Sequence, residues 1–158
     1  MRYLFIDVEC SNGKDICEFG YVLTDADFNI IDKSCFIINP EAKFNLIGRE
    51  RSVDIKLYYP EDVYYKSPKF PYYYKEIKNL IEHPNQFVIG HAISNDVNYI
   101  NNACKRFRLG SIDYSFYDSQ VLMKEYYGLK NRVSLESAGE IINIEVPNFF
   151  IRVMKMLN

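Results

Sequence analysis

The sequence predicts an α/β domain with one mixed sheet, three antiparallel strands followed by parallel ones, flanked by helices. Three observations carry this. The chain opens on a nearly continuous apolar run, Tyr3 to Cys10, which reads as a strand covered on both faces. Two more strand-like runs follow across short turn clusters, which makes a meander. From Pro71 onward, segments with helical apolar spacing alternate with short apolar runs, the pattern of helix and strand units that return to one sheet. At 158 residues the chain suffices for one full core and is short for two. Residues 1–158 are therefore read as one domain.

Each element has its own signal. After the first strand, Ser11 to Asp15 is a turn cluster, Ile16 to Thr24 the second strand, Asp25 to Asp27 a turn and Asn29 to Asn39 the third strand, stopped by Pro40. From Glu41 to Ser67 periodicity is weak, which predicts short helical turns and loop. Tyr73, Ile77, Leu80 and Ile81 recur at helical spacing between Pro71 and His83, with Pro71 suited to a first turn. Gln86 to His91 is the fourth strand, parallel to the first because a helix intervenes. Ser94 or Asn95 caps the next helix, Asp96 to Arg108, and Gly110 ends it. Ser115 to Asp118 is a short fifth strand. Helices follow at Ser119 to Tyr127 and at Ser134 to Asn143. Asp118 is placed to cap the first of these, and Glu136, Glu140 and Glu145 read as a solvated helix face.

Charge and cysteines narrow the function. Nineteen Lys and Arg against 21 Asp and Glu leave a net charge of -2, so no global positive field is available for a polyanion. Nucleic acid would have to be held locally, by metal ions and a small basic patch. Cys10, Cys17, Cys35 and Cys104 form no C-x-x-C pair, as in reduced intracellular proteins. No apolar run approaches the ~20 residues that span a bilayer, and no leader pattern opens the chain. A cytoplasmic protein without membrane contact is expected.

Asp7 and Glu9 stand out because they interrupt an apolar strand. Side chains alternate along a strand, so both carboxylates project from one face, ~6 to 7 Å apart along the backbone. In an apolar setting two carboxylates that close repel each other and lose hydration unless a cation lies between them. Mg²⁺ or Mn²⁺ suits oxygen ligands and leaves positions open for water and phosphate. The plain alternative is an edge strand whose acids face solvent.

Three places extend the pattern. F-I-D-V-E-C at Phe5 to Cys10 is followed by I-C-E-F-G at Ile16 to Gly20. V-I-G-H-A-I-S-N-D runs from Val88 to Asp96. Y-D-S-Q-V-L at Tyr117 to Leu122 precedes S-L-E-S-A at Ser134 to Ala138. In this order they resemble the DEDD (DnaQ-like) 3'-5' exonucleases of the ribonuclease H-like superfamily, over nearly the whole chain. The resemblance implies a ribonuclease H-like sheet and hydrolysis of phosphodiester bonds at 3' ends of single-stranded DNA or RNA. It implies Asp7, Glu9 and Asp96 as catalytic and metal-binding residues. Two Mg²⁺ or Mn²⁺ ions, roughly 3.5 to 4 Å apart, would make a water nucleophilic and neutralise the leaving oxygen. The bland reading of Asp96 is an acid that favours a helix N-terminus.

Cys10, His91, Lys105 and Arg106 are the candidate substrate-binding residues, the last two as a phosphate patch. His91 equally suits a buried ring bonded to backbone, and Ala92 and Asn95 stand where the family usually has Asn and Phe. The aromatic and basic stretch from Lys56 to Lys78 is compatible with base stacking and with rim packing. The family's third motif, a general-base His or Tyr with an Asp four to five residues later, should fall near Phe149 to Asn158. That segment, FFIRVMKMLN, has no His, Asp or Glu. A truncated or frameshifted C-terminal helix is expected, with impaired catalysis, and a homodimer is one way to cover the sheet it leaves. The alternative function is an inactive exonuclease-fold module that binds nucleic acid or a protein partner.

Overall fold

The computed structural model describes residues 1–45, 57 and 59–144. A five-stranded mixed sheet forms its centre, in the order β3-β2-β1-β4-β5. Its strands are β1 (Arg2–Cys10), β2 (Ile16–Thr24), β3 (Ile30–Ile37), β4 (Gln86–Gly90) and β5 (Phe116–Asp118). The helices are α1 (Glu61–Lys66), α2 (Phe70–Ile81), α3 (Ser94–Arg106), α4 (Ser119–Tyr126) and α5 (Leu135–Ile141). The first three strands pair antiparallel, while β4 runs parallel to β1 and β5 parallel to β4.

β1 separates two environments by strict alternation. Leu4, Ile6 and Val8 are buried and join one cluster with Ile77 of α2 and Ile100 of α3. Tyr3, Phe5, Asp7 and Glu9 face the other way and are half-buried. β2, between β3 and β1, is buried along its whole length. On the helix-covered face Phe36 of β3 stacks on Tyr73 of α2, ring centroids 4.8 Å apart.

The α2 helix begins at Phe70 with Pro71 in its first turn, as its spacing predicts. The start of α3 differs from expectation. The helix begins at Ser94, its N-cap is Ile93, and no side chain caps it. Packing sets this turn. Ile93 is fully buried against Gly90, where an added Cβ would meet the Ile93 Cβ at 2.9 Å. Ala92 between them takes a left-handed backbone, φ 58°. The end of α3 also differs. Arg108, φ 54°, makes the left-handed stop, with Leu109 N–H bonded to Cys104 O at 2.9 Å and Arg108 N–H to Lys105 O at 3.2 Å. Gly110 instead accepts a hydrogen bond at its carbonyl from the Tyr74 hydroxyl. The same stop closes α4 at Gly128 and α5 at Asn143.

Candidate carboxylate site

Strand lengths place the site. Pairing between β1 and β4 ends at Phe5 and Ile89, whereas β1 stays paired with β2 as far as Cys10. Beyond β4 a notch opens beside β1, and the first turn of α3 fills it. There the Asp96 carboxylate accepts a hydrogen bond from the Val8 N–H at 2.7 Å, between Asp7 and Glu9 in the chain. Asp96 is only 6% exposed. Burial pushes its carboxyl up to about 7; the Val8 N–H and its own N–H oppose this, and the charges of Glu9 and Asp118 add to it.

Asp7 and Glu9 share the face opposite the helix-covered core. Register carries that face across the sheet: Asp7 lies opposite Gly20 and then Cys35, and Glu9 opposite Glu18 and then Ile37. Glu18 is therefore a further acid beside Glu9. It is 3% exposed and accepts a hydrogen bond from the hydroxyl of Tyr64, which is fully buried in α1. Burial, then the charges of Glu18, Asp7 and Glu9, push the Cys35 thiol up. A sequence reading passes over Glu18; the one available signal is its register opposite Glu9 in a meander.

The candidate substrate-binding residues are held mostly by the protein itself. The Cys10 thiol is hydrogen-bonded to the Tyr99 hydroxyl of α3, and burial raises it; Tyr99 in turn is pushed up to about 12, chiefly by burial. His91 Nε2 donates to Val133 O at 3.1 Å, since a carbonyl only accepts, and Nδ1 shares a 2.8 Å hydrogen bond with Ser119 Oγ. The ring thus ties the end of β4 to α4 and to the segment before α5. Asp118 reinforces that joint: its Oδ1 accepts from Ala92 N–H at 3.0 Å and from Gln120 N–H at 2.9 Å, capping α4 as expected. Arg106, expected with Lys105 to form a phosphate patch, makes hydrogen bonds within the chain. Its guanidinium donates to Asp15 Oδ1 at 3.0 Å and to the carbonyls of Pro40 and Glu41 at 2.6 and 3.0 Å, clamping the loop after β3 to the β1–β2 turn. Lys105 is exposed in the last turn of α3.

Among the described residues, no three His, Cys, Asp or Glu side chains close into a metal-holding group. The donors available at the notch are hard carboxylate oxygens, the chemistry that Mg²⁺ and Mn²⁺ accept. Burial first, and then the charges of Glu9 and Asp118, favour the protonated form of Asp96. Glu145, Lys56 and the segment Phe149 to Asn158 lie outside the described residues. Also among the described residues, no helix is long and apolar enough to cross a membrane.

No family model matches the chain, and no curated protein does. Solved structures do. E. coli exonuclease I in complex with a dA16 oligonucleotide superposes with a TM-score of 0.72 at 17% identity, over 98% of this chain and 38% of that one. The nuclease domain of 3'hExo, a DEDDh family member bound to rAMP, gives 0.67 at 13% identity, over 99% of this chain and 90% of that one. The RNase domain of the yeast Pop2 protein gives 0.65 at 13% identity, over 98% and 73%. The chain thus spans well under half of the exonuclease I chain but nearly all of the 3'hExo domain. TM-scores of 0.65 to 0.72 over 98 to 99% of this chain give it the fold of these exonuclease structures, a mixed five-stranded sheet flanked by helices.

Proposed function

We propose that the chain is a metal-dependent 3'-5' exonuclease domain acting on the 3' end of single-stranded DNA or RNA. The observation that carries this is the Asp96 carboxylate, brought by α3 onto the Val8 N–H beside Asp7 and Glu9. Asp7 and Glu9 from β1 and Asp96 from α3 would hold Mg²⁺ or Mn²⁺. The bound ions would supply an activated water and neutralise the leaving oxygen. Asp96 is oriented by the Val8 N–H, which donates to its Oδ1. Asp118 and His91 hold the β4–α3 turn and so act as positioning residues, while Lys105 offers an exposed cation for phosphate. The segment Phe149 to Asn158, where the resemblance puts a general base and a fourth carboxylate, holds no His, Asp or Glu, and this reading carries weak hydrolysis with it. Oligonucleotide in the matching exonuclease I structure supports the substrate class.

The same lack favours one second reading, an exonuclease-fold module that binds nucleic acid or a protein partner without cleaving. The test is incubation with a 5'-labelled single-stranded oligonucleotide and Mn²⁺. Release of mononucleotides that disappears in Asp7→Ala supports the enzyme; binding without release supports the module.

A further inference from the structure

A strip of aromatic rings crosses the sheet on the same face as Asp7 and Glu9. Phe28, in the β2–β3 turn, stacks on Tyr3 of β1 with centroids 4.8 Å apart and planes 10° apart. Tyr3 stacks on Phe87 of β4 at 5.8 Å, and Phe87 meets Tyr117 of β5 edge-on at 5.2 Å. The two ends of the strip lie open, Phe28 at 62% and Tyr117 at 44% exposure.

Phe28 is the telling member. Its backbone is left-handed, φ 63°, a conformation that disfavours a side chain and suits Gly or Asn. The turn enforces it: Asp25 Oδ1 accepts from the N–H groups of Asp27 and Asn29 at 2.9 Å, and Asp25 Oδ2 from Asn29 Nδ2 at 3.0 Å. Neither turn chemistry nor core burial asks for a phenyl ring there. What the ring does is extend the face of Tyr3 into solvent. Strained backbone that presents an exposed group is a feature of binding surfaces.

We infer that this strip is a stacking platform for the bases of single-stranded nucleic acid. Two observations favour that occupant over a protein. The strip is continuous with the carboxylate face, because Tyr3, Phe5, Asp7 and Glu9 alternate along one strand on one side. Lys33 of β3, in register with Val22 and Phe5, adds a basic residue to the same face two strands from β1. Tyr3 precedes Asp7 by four residues, ~13 Å along a strand. That is about four stacked nucleotides at ~3.4 Å each. The inference rests on the proposed function only for the direction of the strand: a 3' end at Asp7 and Glu9 puts bases several nucleotides upstream on the rings. Stacking accepts any base, so the platform selects length and single-strandedness over sequence.

The test is fluorescence anisotropy in EDTA with labelled dT12, U12 and dT3, for the unaltered chain and for Phe28→Gly and Tyr117→Ala. Each substitution should weaken 12-mer binding about 5-fold or more and leave the trimer unchanged. Phe28→Gly relieves the left-handed backbone, so its melting temperature should hold or rise, and lost binding cannot be blamed on lost folding. Equal 12-mer binding by parent and variants overturns the platform, as does absence of any oligonucleotide binding. A dimer in sedimentation that Phe28→Gly dissolves also overturns it, in favour of self-association. Nucleotide release in Mn²⁺, scored separately with Asp7→Ala, reports on the nuclease reading. Cleavage that ignores Phe28→Gly sinks only the platform, and strip-dependent binding without cleavage sinks only the nuclease.

Discussion

Asp96→Asn probes the notch directly, through the pH dependence of stability in EDTA. The folded chain holds the Asp96 carboxyl at about 7 against an ordinary 3.8, with the side chain almost wholly out of solvent. At pH values between these two, the folded state keeps a proton that the unfolded chain has released. Stability through this group is therefore greatest below pH ~4 and falls as pH rises, by about 1.4 kcal/mol per pH unit, levelling off above ~7. The whole gap is worth about 4 kcal/mol, of which ~2 to 3 kcal/mol is lost between pH 5 and pH 8. Asparagine keeps the Oδ1 acceptor for Val8 N–H and does not titrate. Any cost of burying its amide is equal at every pH and drops out of the comparison. The melting temperature of Asp96→Asn relative to the parent should thus rise by roughly 5 to 10 °C from pH 5 to pH 8, at ~2 to 4 °C per kcal/mol for a chain of this size. Thermal denaturation followed by circular dichroism reads it. A difference that is flat or shrinks with pH refutes the buried, proton-holding carboxylate.

The remaining predictions concern the frame around the site. Arg108→Gly removes a side chain from a left-handed helix stop and should stabilise the chain by ~0.5 to 1 kcal/mol in urea denaturation. Gly90→Ala drives a methyl group to 2.9 Å from the buried Ile93, so a loss of about 1 to 3 kcal/mol is expected by the same assay. Asp118→Ala strips the acceptor from both Ala92 N–H and Gln120 N–H and should lose ~1 to 3 kcal/mol. Asp118→Asn, which keeps Oδ1, should recover most of that; equal losses in the two variants would rule out the hydrogen-bonding account.

Much of the sheet was legible because period-two alternation and turn clusters are local signals. The second strand, Ile16 to Thr24, matches its expected limits, and the other four strands begin and end within two residues of theirs. Helix ends were less legible. Ser94 and Asn95 are good capping residues by type, yet Ile93 holds the cap because its side chain is locked under Gly90, a contact between residues that no local propensity encodes. At the other end Gly110 is the residue type that stops a helix, but Arg108 does it. The shared face of Asp7 and Glu9 follows from alternation alone. The approach of Asp96 depends on where β4 stops, which periodicity does not state; likeness to a known fold supplied it. The Glu18–Tyr64 bond joins residues 46 apart, and the clamp from Arg106 reaches back 91 residues to Asp15. Such partners depend on topology, so a histidine or arginine near the site by sequence looks available for substrate until its own acceptors are known.

The Tyr64–Glu18 bond has a mechanical side. It is a rivet between α1 and the second strand, driven through at the height of Glu9. Whatever leans on α1 from outside is felt at Glu18, one strand away from Glu9. Loosening the rivet, as in Tyr64→Phe, would let that helix drift while leaving every acid in place, and so would separate how the chain grips its acidic edge from which acids it carries there.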